Sequence, residues 1–187
     1  MFDSPRPWIR LAVAAALACC AASASAESFE DLRVRSGIKI FRVILKGDGG
    51  IADKKSGEEL VLLLVGAEGA PARFSDLARD VQGAGNIANL PVTVRAVAAS
   101  TLGEQSGPVA GLFVAEPLGE DALRKTVQFG VDRHAISFSP FDGDVERGVL
   151  CGVSFEAKVV PFINLKTLKA SGISLSPTVL KVAKTHD

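Results

Sequence analysis

Six consecutive apolar residues, Leu60-Val61-Leu62-Leu63-Leu64-Val65, closed by Gly66, constrain this chain more than any other feature. A strand with one wet face alternates apolar and polar side chains, whereas a strand covered on both faces reads as an unbroken apolar stretch. The run is far too short to cross a bilayer as a helix, which takes about 20 such residues. It belongs in the interior of a sheet with a helical layer on each side.

The residues that follow supply those layers. After Pro71, the positions Phe74, Leu77, Ala78 and Val81 fall on one stripe of a helix, and Gly83 is a natural stop. Residues 90–97 alternate and predict a second strand. The pattern then recurs. Residues 109–115 form an apolar strand, and Glu120 and Asp121 favour a helix start because carboxylates complement the N-terminal dipole. Leu123 and Val127 mark its buried stripe, Gly130 is its expected stop, and residues 134–138 make a short strand. Two β-α-β units in series predict an α/β fold of the Rossmann or flavodoxin kind, a mainly parallel sheet with helices on both faces.

The end of the chain differs. Residues 148–155 and 159–163 are strand-like and parted by Glu156-Ala157-Lys158, which predicts an antiparallel β-hairpin at the sheet edge. Ser176-Pro177 opens a final helix, with the serine as cap and proline at a position that needs no N–H. Val179, Leu180 and Ala183 would face the core. Residues 38–46 read two ways. They are rich in β-branched residues, as a strand would be, yet Val34, Ile38, Phe41 and Leu45 fall at helical spacing.

The first 26 residues serve a different end. Arg6 and Arg10 precede a ten-residue apolar run over residues 11–20, and Ala24-Ser25-Ala26 fits an A-x-A cleavage site. These are the parts of a secretory signal peptide in order. Cleavage after Ala26 is expected, leaving residues 27–187 as a single periplasmic domain. The alternative is a lipoprotein anchored at Cys20, because Leu17-Ala18-Cys19-Cys20 loosely resembles a lipobox. No later apolar run is long enough to span a membrane. Processing removes Cys19 and Cys20, so Cys151 alone remains and no intramolecular disulfide can form. Trp8 leaves too and the chain has no Tyr, so Phe is the only aromatic surface. With 21 basic and 21 acidic residues and no block of like charge, nucleic acid is not an expected partner.

Catalysis finds little support. A nucleophile needs an oriented base beside it. His186 is one residue from the end and is expected to be disordered. His134 opens a strand at its N-terminal end, the wrong edge for a ligand in a parallel sheet, and reads as structural. Cys151 sits inside a strand and reads as inert packing. The turn Gly66-Ala67-Glu68-Gly69 lacks the G-x-G-x-x-G and G-K-[ST] patterns, and Glu68 would repel a phosphate. The most polar loop, residues 139–147, leaves the carboxyl end of a strand, where ligands bind. Asp142, Asp144 and Glu146 alternate there, followed by Arg147. Three carboxylates could hold calcium, but the remaining ligands of an EF-hand loop are missing, and Pro140, Asp142 and Gly143 suit a solvated turn. These four residues are read as a recognition site for a ligand or partner, with no metal and no cofactor. The loops at residues 66–70 and 116–119 would complete a small-ligand site.

The C-terminal stretch carries a resemblance. Arg147-Gly148-Val149, Phe155, Val160-Pro161-Phe162-Ile163-Asn164-Leu165, Ala170-Ser171-Gly172-Ile173-Ser174-Leu175-Ser176-Pro177, Leu180 and Val182-Ala183 follow the order of the YfiR-like family of bacterial periplasmic proteins. The resemblance covers residues 147–183. It marks Asn164, Gly172, Ser176 and Pro177 as a structural motif, and Asn164 as a bridge between strand and helix. It implies a non-enzymatic regulator that binds the periplasmic part of a membrane-bound signalling receptor of the diguanylate cyclase or histidine kinase type. A homodimer is the other partner to consider, and the sequence does not set the oligomeric state. Family members with paired cysteines respond to redox, which a chain left with Cys151 alone cannot do by an internal bond. The alternative function is a periplasmic small-ligand binding protein.

Overall fold

Phe29–Lys46 forms one helix, α1, in the computed structural model, which describes residues 29–155 and 159–187. Residues 38–46 are therefore helical. Ile38, Phe41, Ile44 and Leu45 are all buried, a set that only a helical period turns toward one side. The signal-peptide and lipobox segments lie outside the described residues. Residues 29–32 are the first turn of α1, and Arg33–Asp187 form a compact unit that holds the sheet.

The strand Glu59–Gly66, β2, is the centre of that sheet, and Lys55–Ser56, β1, pairs antiparallel with its start. Val92–Ala98, β3, lies parallel on one side of β2, with Leu62 opposite Val94. Gly111–Val114, β4, lies parallel to β2 as well, with Leu62 opposite Gly111. Ile136–Ser139, β5, and Cys151–Phe155, β6, continue the parallel order. Val159–Asn164, β7, turns back antiparallel to β6. The turn between them lies outside the described residues.

The continuous apolar run resolves into two faces. Leu60, Leu62 and Leu64 pack with Phe41, Ile44 and Leu45, whereas Val61, Leu63 and Val65 pack with Leu112, Val114 and Leu123. The first face is covered by α1, by Ser75–Gly83 (α3, preceded by the single turn Ala70–Arg73, α2) and by Pro177–Val182 (α6, preceded by Leu165–Ser171, α5). The second is covered by Glu120–Asp132, α4, and the 3-10 turn Ala99–Glu104. Burying each large aliphatic side chain contributes about 1.5–3 kcal/mol. Phe41, Phe113 and Phe138 meet at ring separations of 5.5–5.7 Å and join α1 to the middle of the sheet.

Three local expectations are corrected. Gly130 does not end its helix, because α4 runs on to Asp132. Gly130 is small because a Cβ there would stand 3.2 Å from the Ala135 carbonyl, so the helix lies tight on the chain entering β5. The hairpin is not the sheet edge, since Lys184–His186, β8, pairs parallel with β7 outside it. His186 is thus ordered: it lies opposite Asn164, and its ring meets Phe162 edge-on at 6.3 Å. The outer backbone of β7 supplies the partner that turns a polar tail into a strand. No described helix is long and apolar enough to cross a membrane.

Candidate functional site

The loop after β5 folds around a buried hydrogen-bond chain. The Phe141 N–H donates to Ser139 Oγ at 3.2 Å, and the Ser139 hydroxyl donates to Asp144 Oδ2 at 2.5 Å. Arg147 pairs with the other Asp144 oxygen, and the Val149 N–H donates to the Asp144 carbonyl at 3.0 Å. The Asp144 side chain is 1% exposed, and it holds the loop from beneath. Asp142 and Glu146 stay on the surface. The three alternating carboxylates therefore diverge, and among the described residues no group of three or more acidic, His or Cys side chains is placed to hold a metal ion.

Above this loop lies a cleft of about 280 Å³ at the carboxyl ends of β5 and β6. Phe141, Asp142 and Glu146 form one wall, Ser154, Phe155 and Phe162 another, and Arg33 and Lys184 reach in from α1 and β8. Arg33 donates to Asp142 Oδ2 at 2.7 Å and to the Pro140 carbonyl at 3.4 Å, so α1 and the loop are latched together. Its guanidinium lies over the Phe155 ring at 4.8 Å, and the Lys184 ammonium lies over Phe162 at 4.9 Å. The cleft thus has two cations seated on phenyl faces and two carboxylates facing the same space.

Of the residues singled out in the sequence, Asp142 and Glu146 line this cleft, and Asp144 and Arg147 support the loop from below. Asn164 lies beneath the same loop. Its Nδ2 donates to the Val145 carbonyl at 2.8 Å, and its Oδ1 accepts the Thr167 N–H at 2.9 Å, capping α5. Gly172 ends α5 with φ +65°, a left-handed position suited to glycine. The Ser176 hydroxyl caps α6 at the Val179 N–H, with Pro177 as the first helical residue. These four are away from the cleft surface.

Sequence reasoning missed Arg33, Phe155, Phe162 and Lys184 as lining residues. Arg33 and Asp142 are 109 positions apart, and no local pattern joins them. Cys151 is fully buried, and burial pushes its thiol well above the ordinary range, which makes it inert. His134 sits in the turn before β5 with φ +52°, and its Nδ1 lies 2.6 Å from the Ser171 carbonyl.

No protein-family model matches the sequence, and no curated protein matches it. Solved structures do. An ABC domain in complex with L-Trp from Streptococcus pneumoniae is 12% identical with a TM-score of 0.54, over 82% of this chain and 61% of that one. A conserved domain protein from Vibrio cholerae O1 biovar El Tor is 12% identical with a TM-score of 0.53, over 82% of this chain and 60% of that one. The chain therefore spans about three fifths of each neighbour. At this identity the likeness establishes a shared α/β fold.

Proposed function

We propose that this protein is a non-catalytic binding protein that takes a small zwitterionic molecule into the cleft between the 140–147 loop and strands β6–β8. The observation that carries the reading is the set of opposed charges around two phenyl rings. Arg33 and Asp142 neutralise each other through their latch, so a ligand carboxylate would meet Lys184, an ammonium would meet Glu146, and an apolar body would lie on Phe155 and Phe162. The volume is at the small end of the ~300–1,000 Å³ typical of ligand sites and suits one molecule of amino-acid size. The neighbour solved with L-Trp makes that amino acid the first probe. The opening 26 residues favour a periplasmic place of work for residues 27–187.

Thermal unfolding and calorimetry test the reading. A ligand at about 100 times its dissociation constant adds about 2.7 kcal/mol of stability. L-Trp or another amino acid is expected to raise the melting temperature, and Phe155→Ala or Glu146→Ala to reduce that rise. A full panel of amino acids that shifts nothing would remove the proposal.

The resemblance over residues 147–183 favours a second reading, because that stretch builds β6, β7, α5 and α6, one side of the cleft. On this reading the protein is a periplasmic regulator of a membrane-bound cyclase or kinase. Cross-linking in cells should then capture a membrane signalling protein, and deletion should change cyclic-di-GMP. Unchanged dinucleotide levels with no membrane partner would discard it.

A further inference from the structure

We infer that the switch point of the sheet is a second binding site, for a small ligand bearing a carboxylate or phosphate, and that Glu116 of the chain itself is its gate. After β2 the chain goes to β3 on one side and then returns to β4 on the other. The loops leaving the carboxyl ends of β2 and β4 head in opposite directions, and such a divergence is where doubly wound sheets take ligands. Here a side chain occupies it. Glu116 Oε1 accepts the Ala67 N–H at 2.6 Å and pairs with the Arg73 guanidinium. Arg73 lies over the Phe74 ring at 5.5 Å.

The approach depends on Gly66. A Cβ there would stand 2.7 Å from Glu116 Oε1 and equally close to the Phe74 ring, so any side chain would push the carboxylate out. The donors that hold Glu116, a backbone N–H and a guanidinium, are those that hold any oxyanion. Glu68, the other acid of this loop, is taken up by the Ser100 hydroxyl. The gate is shallow: the Glu116 and Arg73 side chains are 27% and 49% exposed, and an ion pair this wet is weak. Ala115 is fixed by its N–H to the Val65 carbonyl at 2.9 Å, so the gate opens by rotation of the Glu116 side chain with the strand in place. A dissolved oxyanion can then trade places with it. This site is separate from the 280 Å³ cleft and does not depend on what that cleft binds.

The test is a titration of the protein as isolated from cells, following the Ala67 amide by NMR, with citrate and with inorganic phosphate as probes. Citrate alone, or phosphate alone, names the chemistry. A gate lowers apparent affinity in proportion to the fraction of molecules in which it stands open, so Glu116→Ala should tighten binding by about twofold or more. Arg73→Ala in the same background should abolish it. Equal affinity with and without Glu116, no response from Ala67, or binding that survives the loss of Arg73 would each overturn the inference. If Glu116→Ala does not fold, Glu116→Gln decides, because it keeps an acceptor for Ala67 and drops the charge. Unchanged anion affinity in that variant also overturns it.

Discussion

The Ser139 hydroxyl donates to the carboxylate of Asp144 at 2.5 Å, beneath the loop that both residues bound. The bond is the middle link of a chain that starts at the Phe141 N–H and ends at Arg147. It sends Asp144 inward and leaves Asp142 and Glu146 to the cleft. Asp144→Ala removes the acceptor from a buried hydroxyl, which costs about 1–3 kcal/mol. Asp144→Asn keeps an oxygen for Ser139 and is expected to lose less than half as much. Urea unfolding of the two variants checks this, and equal losses would show that the carboxylate charge, through Arg147, matters more than the Ser139 bond.

Asn164 ties three segments with one amide: β7, which contains it, the start of α5 through Thr167, and the binding loop through Val145. Losing a cap costs about 0.5–2 kcal/mol, and the orphaned buried Val145 carbonyl adds about 1–3. Asn164→Ala is therefore expected to destabilise by about 2–4 kcal/mol. Asn164→Asp keeps the cap oxygen but loses the donor to Val145. It also sets a buried carboxylate oxygen against the Val145 carbonyl, so its loss at neutral pH should equal or exceed that of Asn164→Ala, measured by the same denaturation.

How far the sequence shows this arrangement depends on the range of the forces involved. The strand β2 is legible because burial on both faces leaves no polar residue in Leu60–Val65, and the cap at Ser176 is legible because helix ends have local chemistry. Residues 38–46 are ambiguous in a short window, since β-branched residues suit either period. The decision comes from three Phe rings, Phe41 on the helix and Phe113 and Phe138 on strands far along the chain. The strand β8 has no sequence signature at all. Lys184, Thr185 and His186 become a strand because β7 offers an edge. The loop acids are visible as a group, but the inward turn of Asp144 rests on donors at Ser139 and Arg147 that an alternating pattern does not reveal. The latch between Arg33 and Asp142 is purely a product of the fold.

Cys151 gives the protein a measurable alkaline signature. Burial raises its thiol in the folded state, whereas the unfolded thiol ionises near pH ~8.5. Below that pH both states keep the proton and there is no linkage. Above it the unfolded state releases a proton that the folded state retains, so stability falls by about 1.4 kcal/mol per pH unit. The chain has no Tyr, so no phenol titrates in this window. The difference between the native protein and Cys151→Ala should be constant from pH 6 to ~8 and then shrink with that slope. A thiol reagent should modify Cys151 only as fast as the protein unfolds.

Arg42 fastens α1 to the end of α3. Its guanidinium donates to the carbonyls of Val81, Ala84, Gly85 and Asn86 at 2.6–3.3 Å. These carbonyls have no helical partner of their own, and a cation there also complements the negative end of the helix dipole. Partial burial lowers the affinity of Arg42 for its proton, yet a guanidinium stays charged throughout the working range. Arg42→Lys keeps the charge but loses the planar fork, and one ammonium cannot reach four carbonyls arranged around a turn. Hydrogen bonds from charged donors contribute about 1.5–3 kcal/mol each when buried, and this site is half exposed, so Arg42→Lys is expected to cost about 1 kcal/mol and Arg42→Ala about 2. The loss should be local as well as global. Amide exchange should quicken at residues 81–87 while the amides of β2, behind the same helix, keep their protection until the whole protein unfolds. Uniform quickening across the sheet would instead mean that Arg42 acts only on overall stability.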